Sequence, residues 1–222
     1  MLLAGLGNAY LDGGDDFDTV SYERATDGVV VDLADPSMNA GLAAGHTYSN
    51  IEQFNLSSFD DVFVGSDNGD IVHGGNGVDI LLGYGGSDTL DGGNDNDWLN
   101  GGAGADVLSG GDGYDVASYG SAASHVSIDL NKPSLDWTGD AKGDVFTSIE
   151  EIDLTDFADT FIAASDAVIV HFTDLVFDKF AGETVDGGEG FDKLVVMDNF
   201  MAPRQATFSN MEDLASGVTD IT

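Results

Sequence analysis

Apolar residues recur every nine positions between Gly65 and Ser118, where the chain divides without a gap into six nonapeptides. Glycine concentrates at positions one, two and four, which predicts that the first six residues of each repeat form a turn. The last three residues then form a short strand, in which position eight points to one face and positions seven and nine to the other. Position eight is apolar throughout: Val72, Leu81, Leu90, Leu99, Leu108 and Ala117. Trp98, at position seven, is therefore predicted to lie outside the core.

This period predicts a solenoid with two parallel sheets. Each nonapeptide makes half a turn, so two successive repeats complete one turn, and the position-eight side chains of the two sheets meet in a narrow core. Two residues depart from the glycine pattern, because Tyr84 stands at position two of its repeat and Asp95 at position four of its repeat. We expect altered turn geometry at both.

A longer repeat surrounds the nonapeptides. GGDDFDTVSY (13–22) recurs as GGDGYDVASY (110–119), and the segment 49–64 recurs as 147–162; a third, shortened copy starts at Gly187. Within these copies, FDDVFV and FADTFI keep Asp and apolar residues in the nonapeptide phase without the glycines. They are predicted to be roll strands with weak or absent ion sites.

Four segments follow from these repeats. They are a first flanking β unit (1–64), the core nonapeptide roll (65–118), a second flanking β unit (119–162) and a degenerate capping unit (163–222). In the last, HFTDLVFDKF (171–180) is apolar and free of glycine. It is predicted to be a buried cap over the open sheets or, alternatively, an interface with another domain or subunit.

Position six is Asp in all six repeats, and stacking places Asp70, Asp88 and Asp106 on one edge of the roll and Asp79, Asp97 and Asp115 on the other. Carboxylates ~5 Å apart at an effective dielectric of about 20 repel by roughly 3 kcal/mol, so the fold needs a cation between successive turns. One apolar side chain per nonapeptide also buries too little surface to order a glycine-rich chain. Ion binding is therefore predicted to drive folding.

Composition narrows the choice of ion and partner. Cys is absent, so the ligands are oxygen atoms, which suit calcium better than zinc, and better than magnesium with its near-octahedral demand. The chain has 41 acidic and 6 basic residues, with none of the basic residues between Ala25 and Asn131, which argues against nucleic acid as a partner. No apolar run approaches the ~20 residues of a membrane span, and the start lacks the features of a signal peptide.

The nonapeptides resemble GGxGxDxUx, the signature of the RTX (repeats-in-toxin) hemolysin-type calcium-binding repeat family; GGNGVDILL, GGAGADVLS and GGDGYDVAS match it most fully. The resemblance implies an all-β fold, a right-handed parallel β-roll loaded with several calcium ions, here with longer inserted strands and loops and a hydrophobic C-terminal cap. It also implies type I secretion from a Gram-negative bacterium and folding on external calcium.

The resemblance further implies that calcium is bound by position-one and position-three carbonyls and by position-six carboxylates. Asp61, in the glycine-free FDDVFV strand, is a further candidate because it stacks on Asp79. The resulting metal ligands are Asp61, Asp70, Gly74, Asn76, Asp79, Gly83, Gly85, Asp88, Gly92, Asn94, Asp97, Gly101, Ala103, Asp106, Gly110, Asp112 and Asp115.

Catalytic signatures are missing from the sequence. No GxSxG or HExxH motif occurs, and the four histidines are expected to be structural surface residues. We therefore expect no enzyme activity but a structural calcium-binding module of a secreted or cell-surface protein, such as an adhesin or surface-layer protein. Neighbouring domains and self-association are expected partners. The alternatives are a polysaccharide-binding module that uses exposed Tyr84, Trp98, Tyr114 or Trp137, or an RTX region appended to a secreted enzyme.

Overall fold

The computed structural model describes residues 1–130, 132–155, 157 and 159–162, together with the backbone of five later strands. This part of the chain consists of short strands and four 3-10 helices, without an α-helix, and every strand pair described is parallel. None of its helices has the length and hydropathy that a membrane crossing requires. The chain divides into two compact units, 1–116 with 145–149, and 117–144 with 150–222.

The elements follow one another closely. In chain order they are β1 (Leu2–Leu3), β2 (Tyr10–Asp12), β3 (Thr19–Ser21), β4 (Val30–Asp32), η1 (Pro36–Met38), η2 (Gly41–Ala43), β5 (Thr47–Ser49), β6 (Gln53–Asn55), β7 (Val62–Ser66), β8 (Ile71–Asn76), β9 (Ile80–Gly86), β10 (Thr89–Asn94), β11 (Trp98–Asn100), β12 (Ala103–Gly104), β13 (Val107–Asp112), β14 (Val116–Ser118), β15 (Ser127–Asp129), η3 (Ser134–Asp136), η4 (Gly139–Ala141), β16 (Val145–Thr147), β17 (Glu151–Asp153), β18 (Thr160–Ile162), β19 (Ile169–Phe172), β20 (Thr184–Asp186), β21 (Lys193–Val196), β22 (Thr207–Ser209) and β23 (Asp213–Ala215).

Two sheets form the roll in the first unit. One has the order β1-β3-β6-β8-β10-β13-β16 and the other contains β4-β7-β9-β11, so strands that follow one another in the array alternate between the sheets. Within each sheet, an array strand pairs with the strands two repeats before and after it: Thr89 pairs with Ile71 and Val107, and Ile80 pairs with Val62 and Trp98. The predicted two-sheet parallel roll with two repeats per turn is confirmed.

The core of the roll comes from position eight. Val72, Leu81, Leu90, Leu99, Leu108 and Ala117 are completely buried, as their pattern predicted. On the strands that precede the array, the ring centroids of Phe54 (β6) and Phe63 (β7) lie 5.1 Å apart, so the two sheets face each other across this core. Trp98 remains 38% exposed, which confirms its place outside the core.

Inserted loops lengthen the turns outside the array. Thr19 pairs with Gln53 and Val30 with Val62, so these partners are much farther apart along the chain than paired residues of the array. The additional residues include η1, η2 and β5, and β5 pairs with β2. The predicted insertion of longer strands and loops into the roll is therefore confirmed.

The second unit contains the sheet β15-β18-β20-β22 and the series of paired strands β17-β19-β21-β23. Glu151 pairs with Ile169 at the same spacing as in the array, whereas the pairing of Ile169 with Lys193 and of Thr160 with Thr184 spans a longer stretch of chain. Apart from the backbone of its first two residues, the apolar segment 171–180 lies outside the described residues, so its role as a buried cap stays a prediction.

The longer repeat is visible in the element order. The series β4-η1-η2-β5-β6-β7 recurs as β15-η3-η4-β16-β17-β18, in the same sequence of strands and 3-10 helices. Each copy buries a tyrosine hydroxyl against a polar partner: the Tyr22 hydroxyl lies 2.8 Å from His46 Nδ1, and the Tyr119 hydroxyl donates to the Asp144 carboxylate. His46 is completely buried, so the expectation of a surface histidine is wrong there.

Candidate metal centre

The position-six aspartates stack in two ladders, as the nonapeptide period predicted. All six are buried, because each follows a turn and immediately precedes a roll strand. In each ladder, one carboxylate oxygen accepts the backbone N–H of the aspartate two repeats earlier. The donor and acceptor pairs are Asp70 to Asp88 at 2.7 Å, and Asp88 to Asp106, Asp61 to Asp79, Asp79 to Asp97 and Asp97 to Asp115, each at 2.8 Å.

The second oxygen of these carboxylates is the unusual feature of the site. Oδ2 of Asp79, Asp88 and Asp97 is buried and has no hydrogen-bond donor in the structure. A buried, unpaired carboxylate oxygen carries a large desolvation penalty. The ladder therefore contains buried negative charge that the protein itself does not compensate.

Each such oxygen lies against the position-one glycine of its own repeat. A Cβ on Gly74 would lie 2.2 Å from Asp79 Oδ2 and 2.5 Å from the Gly92 carbonyl oxygen. On Gly83 it would lie 2.2 Å from Asp88 Oδ2 and 2.7 Å from the Gly101 carbonyl oxygen. Glycine is thus required at position one for space, and a carboxylate oxygen and a carbonyl oxygen of the next turn converge there.

Burial raises the pKa of these aspartates above the usual range for the residue. The pKa of Asp79 rises to about 8, that of Asp88 and Asp97 to about 7, and that of Asp70 to about 6, in each case mainly by desolvation. Hydrogen bonds to backbone N–H groups oppose the rise, and neighbouring ladder carboxylates add to it for Asp79, Asp88 and Asp97. The ladders therefore favour a bound cation or a bound proton.

The comparison with known protein families agrees with this chemistry. Residues 57–90 and 82–117 match the family model described as an RTX calcium-binding nonapeptide repeat, in four copies. The chain contains RTX calcium-binding nonapeptide repeats. Such repeats bind calcium and form β-rolls, and they constitute a structural, not a catalytic, module. A search of curated proteins found no match.

The donor set of the RTX turns fits a hard cation. No group of three or more His, Cys, Asp or Glu side chains gathers as a metal cluster in the described part of the chain. An ion between turns would therefore take one carboxylate from each turn and its other ligands from backbone carbonyls, which suits the flexible coordination of calcium. At position three, the exposed Asn94 amide donates to the Asn76 side chain, so these side chains bond to each other at the surface.

Two RTX turns without the consensus glycine keep the glycine-like backbone. Tyr84 at position two has φ of 71° and Asp95 at position four has φ of 77°, in the left-handed region that their glycine counterparts Gly93 and Gly77 also occupy. Both residues keep a positive φ, which a residue with a side chain disfavours, but the value is lower than at Gly93 and Gly77. The expectation of altered turn geometry stays a prediction.

Asp61, the candidate ligand outside the six RTX repeats, lies at the start of the Asp79 ladder, but its surroundings differ. Its Oδ1 accepts the Val29 N–H at 2.6 Å and the Ser57 hydroxyl at 2.8 Å, and its Oδ2 accepts the Ser57 N–H at 2.7 Å. Both oxygens are therefore occupied by protein donors.

The nonapeptide pattern missed one turn that has RTX geometry. A Cβ on Gly13 would lie 2.0 Å from the Asn50 carbonyl oxygen and 2.8 Å from Asp18 Oδ2; on Gly110 it would lie 2.1 Å from the Ser148 carbonyl oxygen and 2.4 Å from Asp115 Oδ2. The recurrence of GGDDFDTVSY as GGDGYDVASY was the signal for this equivalence. Asp18 donates its N–H to Glu52, at 2.8 Å, whereas Asp70, Asp79, Asp88 and Asp97 each donate theirs to an aspartate.

The aromatic residues named as possible sugar contacts are not equivalent. Tyr84 is 56% exposed and Tyr114 and Trp98 are less so. Trp137 is only 6% exposed and its indole N–H donates to the Asp129 carbonyl oxygen at 2.8 Å. The prediction of an exposed Trp137 is therefore wrong, because the η3 segment folds its ring inward.

Proposed function

We propose that this chain is a calcium-dependent folding module of an exported bacterial protein, in which ions between like turns hold the RTX roll together. The observation that carries the proposal is the set of buried Oδ2 atoms of Asp79, Asp88 and Asp97, which have no donor and lie beside glycine turns. A divalent cation would supply the positive charge that these positions require.

The proposed ligands are the position-one and position-three carbonyls and the position-six carboxylates of the repeats in 65–118. One ion between each pair of like turns gives four ions, between the pairs Asp70 and Asp88, Asp88 and Asp106, Asp79 and Asp97, and Asp97 and Asp115. The segments 1–64 and 119–162 then act as flanking β units, and 163–222 as the capping unit.

Dependence on calcium connects folding to export. Extracellular calcium-binding modules have affinities near 10⁻⁴ to 10⁻³ M, so a chain of this kind stays unfolded in a cytoplasm poor in calcium and folds outside. Type I secretion from a Gram-negative bacterium, and a place in an adhesin or surface-layer assembly, fit this order of events. The net charge of -35 adds to the repulsion that calcium relieves.

A calcium titration followed by far-ultraviolet circular dichroism tests the proposal. In chelator at pH 7.5 the chain is expected to be largely disordered, and to gain β-sheet signal at roughly 0.1 to 1 mM calcium. Equal concentrations of magnesium are expected to have little effect. Asp88→Ala, which removes the carboxylate between two ladder neighbours, is expected to shift the transition to higher calcium. A chain that is fully folded in chelator and binds no calcium would contradict the proposal.

A further inference from the structure

Asp61 stands in a turn whose sequence departs from the RTX pattern in a specific way. In the nonapeptide phase, Leu56 occupies position one and Ser57 occupies position two, where the array has glycine. Leu56 is 1% exposed, so its side chain belongs to the core. The Ser57 N–H and hydroxyl both donate to Asp61, and the Val29 N–H completes the set of three donors.

The same arrangement occurs in the next copy of the longer repeat, in the other compact unit. Leu154 is buried at position one, and Thr155 at position two donates its N–H, at 2.9 Å, and its hydroxyl to Asp159. The Val126 N–H donates to Asp159 Oδ1 at 2.7 Å, as Val29 does to Asp61. Two separate turns, one with serine and one with threonine at position two, thus surround the aspartate carboxylate with the same three donors.

Sterics at position one explain why these turns differ from the array. At Gly74, the carboxylate oxygen of Asp79 lies 2.2 Å from the position of a Cβ, so a leucine there forbids that placement of the carboxylate. The carboxylate must then turn elsewhere, and a hydroxyl residue at position two supplies donors for it. Asp70 is intermediate. Its carboxylate accepts the Ser66 N–H at 3.1 Å and also bonds to the Ser66 hydroxyl, but position one of its turn is Gly65, which leaves space for the carboxylate.

We infer that the Leu56–Ser57 and Leu154–Thr155 pairs replace calcium in their turns, so that Asp61 and Asp159 are anchors independent of the ion. In these two turns, the N–H and hydroxyl of the serine or threonine hydrogen-bond the aspartate carboxylate. In the array turns, which have glycine at position one, an ion neutralises the equivalent carboxylate. No ion then lies between the Asp61 turn and the Asp79 turn, although Asp61 continues the ladder by donating its N–H to Asp79. This inference rests on the proposed calcium function of the array.

The number of bound ions tests the inference, measured on the folded, calcium-loaded chain by native mass spectrometry. Asp61→Asn and Asp79→Asn form a matched pair, because both alter one carboxylate of the same ladder, on neighbouring turns. Asp79→Asn is expected to lose at least one of four ions, whereas Asp61→Asn is expected to keep all four. Loss of an ion in both variants would overturn the inference and leave the calcium function intact. Absence of calcium from the unmodified chain would overturn both.

A milder variant covers the case in which Asp61→Asn does not fold. Ser57→Ala removes only the hydroxyl donor, and Ser58→Ala is its control because Ser58 is exposed. Ser57→Ala is expected to keep four ions and to lower the melting temperature in calcium by about 2 to 4 °C. Ser58→Ala is expected to change neither. Loss of an ion or an unchanged melting temperature in Ser57→Ala would overturn the inference.

Discussion

Gly83 offers a direct test of the claim that position one must be glycine for the ion site to form. An alanine methyl group there would lie 2.2 Å from Asp88 Oδ2 and 2.7 Å from the Gly101 carbonyl oxygen, so Gly83→Ala must displace the carboxylate. Gly85, two residues on in the same turn, is the matched control. A Cβ there has its closest neighbour at 3.6 Å, and the residue does not need the left-handed backbone.

The size of the effect follows from this geometry. Inserting a methyl group into such a space costs about 1 to 3 kcal/mol. If four ions bind as the chain folds, that cost raises the calcium midpoint by about 1.5-fold to 3.5-fold. If the displaced Asp88 also ceases to bind, the same cost is spread over the two remaining ions and the shift is about 2-fold to 13-fold. Gly85→Ala is expected to lower the midpoint slightly, because it stabilises by about 0.4 to 1 kcal/mol through the unfolded chain.

Circular dichroism at increasing calcium concentration, at pH 7.5, measures the midpoints of both variants under identical conditions. The steric argument requires the two alanine variants to move in opposite directions. Equal midpoints for Gly83→Ala and Gly85→Ala would refute it, because the only planned difference between them is the space available beside Asp88. If the calcium midpoint of Gly83→Ala rises but the number of bound ions is unchanged, the methyl group disturbs packing without removing an ion.

Three further predictions concern the rest of the chain. The folded-state pKa values of Asp79 and Asp88, about 8 and about 7, lie above the unfolded value of about 3.9. The stability that these two groups contribute without calcium is therefore fully present below about pH 4 and is lost as pH rises through 7 to 8. Circular dichroism in chelator should show more β-sheet at pH 5 than at pH 8, and the reverse order would contradict the burial argument. Tyr84→Gly removes the side chain that disfavours a left-handed backbone, so it should stabilise the folded chain by about 1 kcal/mol and lower the calcium midpoint. Tyr114→Gly, at a residue without such a backbone, should destabilise the folded chain. Tyr22→Phe leaves the buried ring of His46 without its hydroxyl partner and should cost about 1 to 3 kcal/mol in thermal unfolding, with unchanged calcium stoichiometry.

The architecture of the array could be predicted from the sequence because its rules are local and repeat. A period of nine with one apolar position determines which side chain faces the core, and two repeats per turn determine the register. The pairing of Thr89 with Ile71 and Val107, and the burial of Leu90 beside it, follow from that period alone. The longer repeat likewise predicted that the elements after β14 would reproduce those after β3.

Contacts over long stretches of chain could not be predicted in this way. The burial of His46 depends on the Tyr22 hydroxyl and on the Gly5 carbonyl oxygen, both far from it in sequence. The inward position of Trp137 depends on an indole bond to the Asp129 carbonyl oxygen within an inserted loop. No periodic pattern covers these loops, so composition alone suggested surface residues.

The two oxygens of each ladder carboxylate have different roles, and together they couple folding to ion binding. Asp97 Oδ1 accepts the N–H of Asp79, so the carboxylate is correctly placed only when the neighbouring turn is already folded. Its Oδ2 is left without a donor, so the same folded pair of turns is unfavourable until a cation arrives. Neither requirement can be met by one turn alone. Folding of a turn and ion binding therefore depend on each other along the ladder, whereas the Asp61 turn, whose donors come from Ser57 and Val29, needs no ion to be complete.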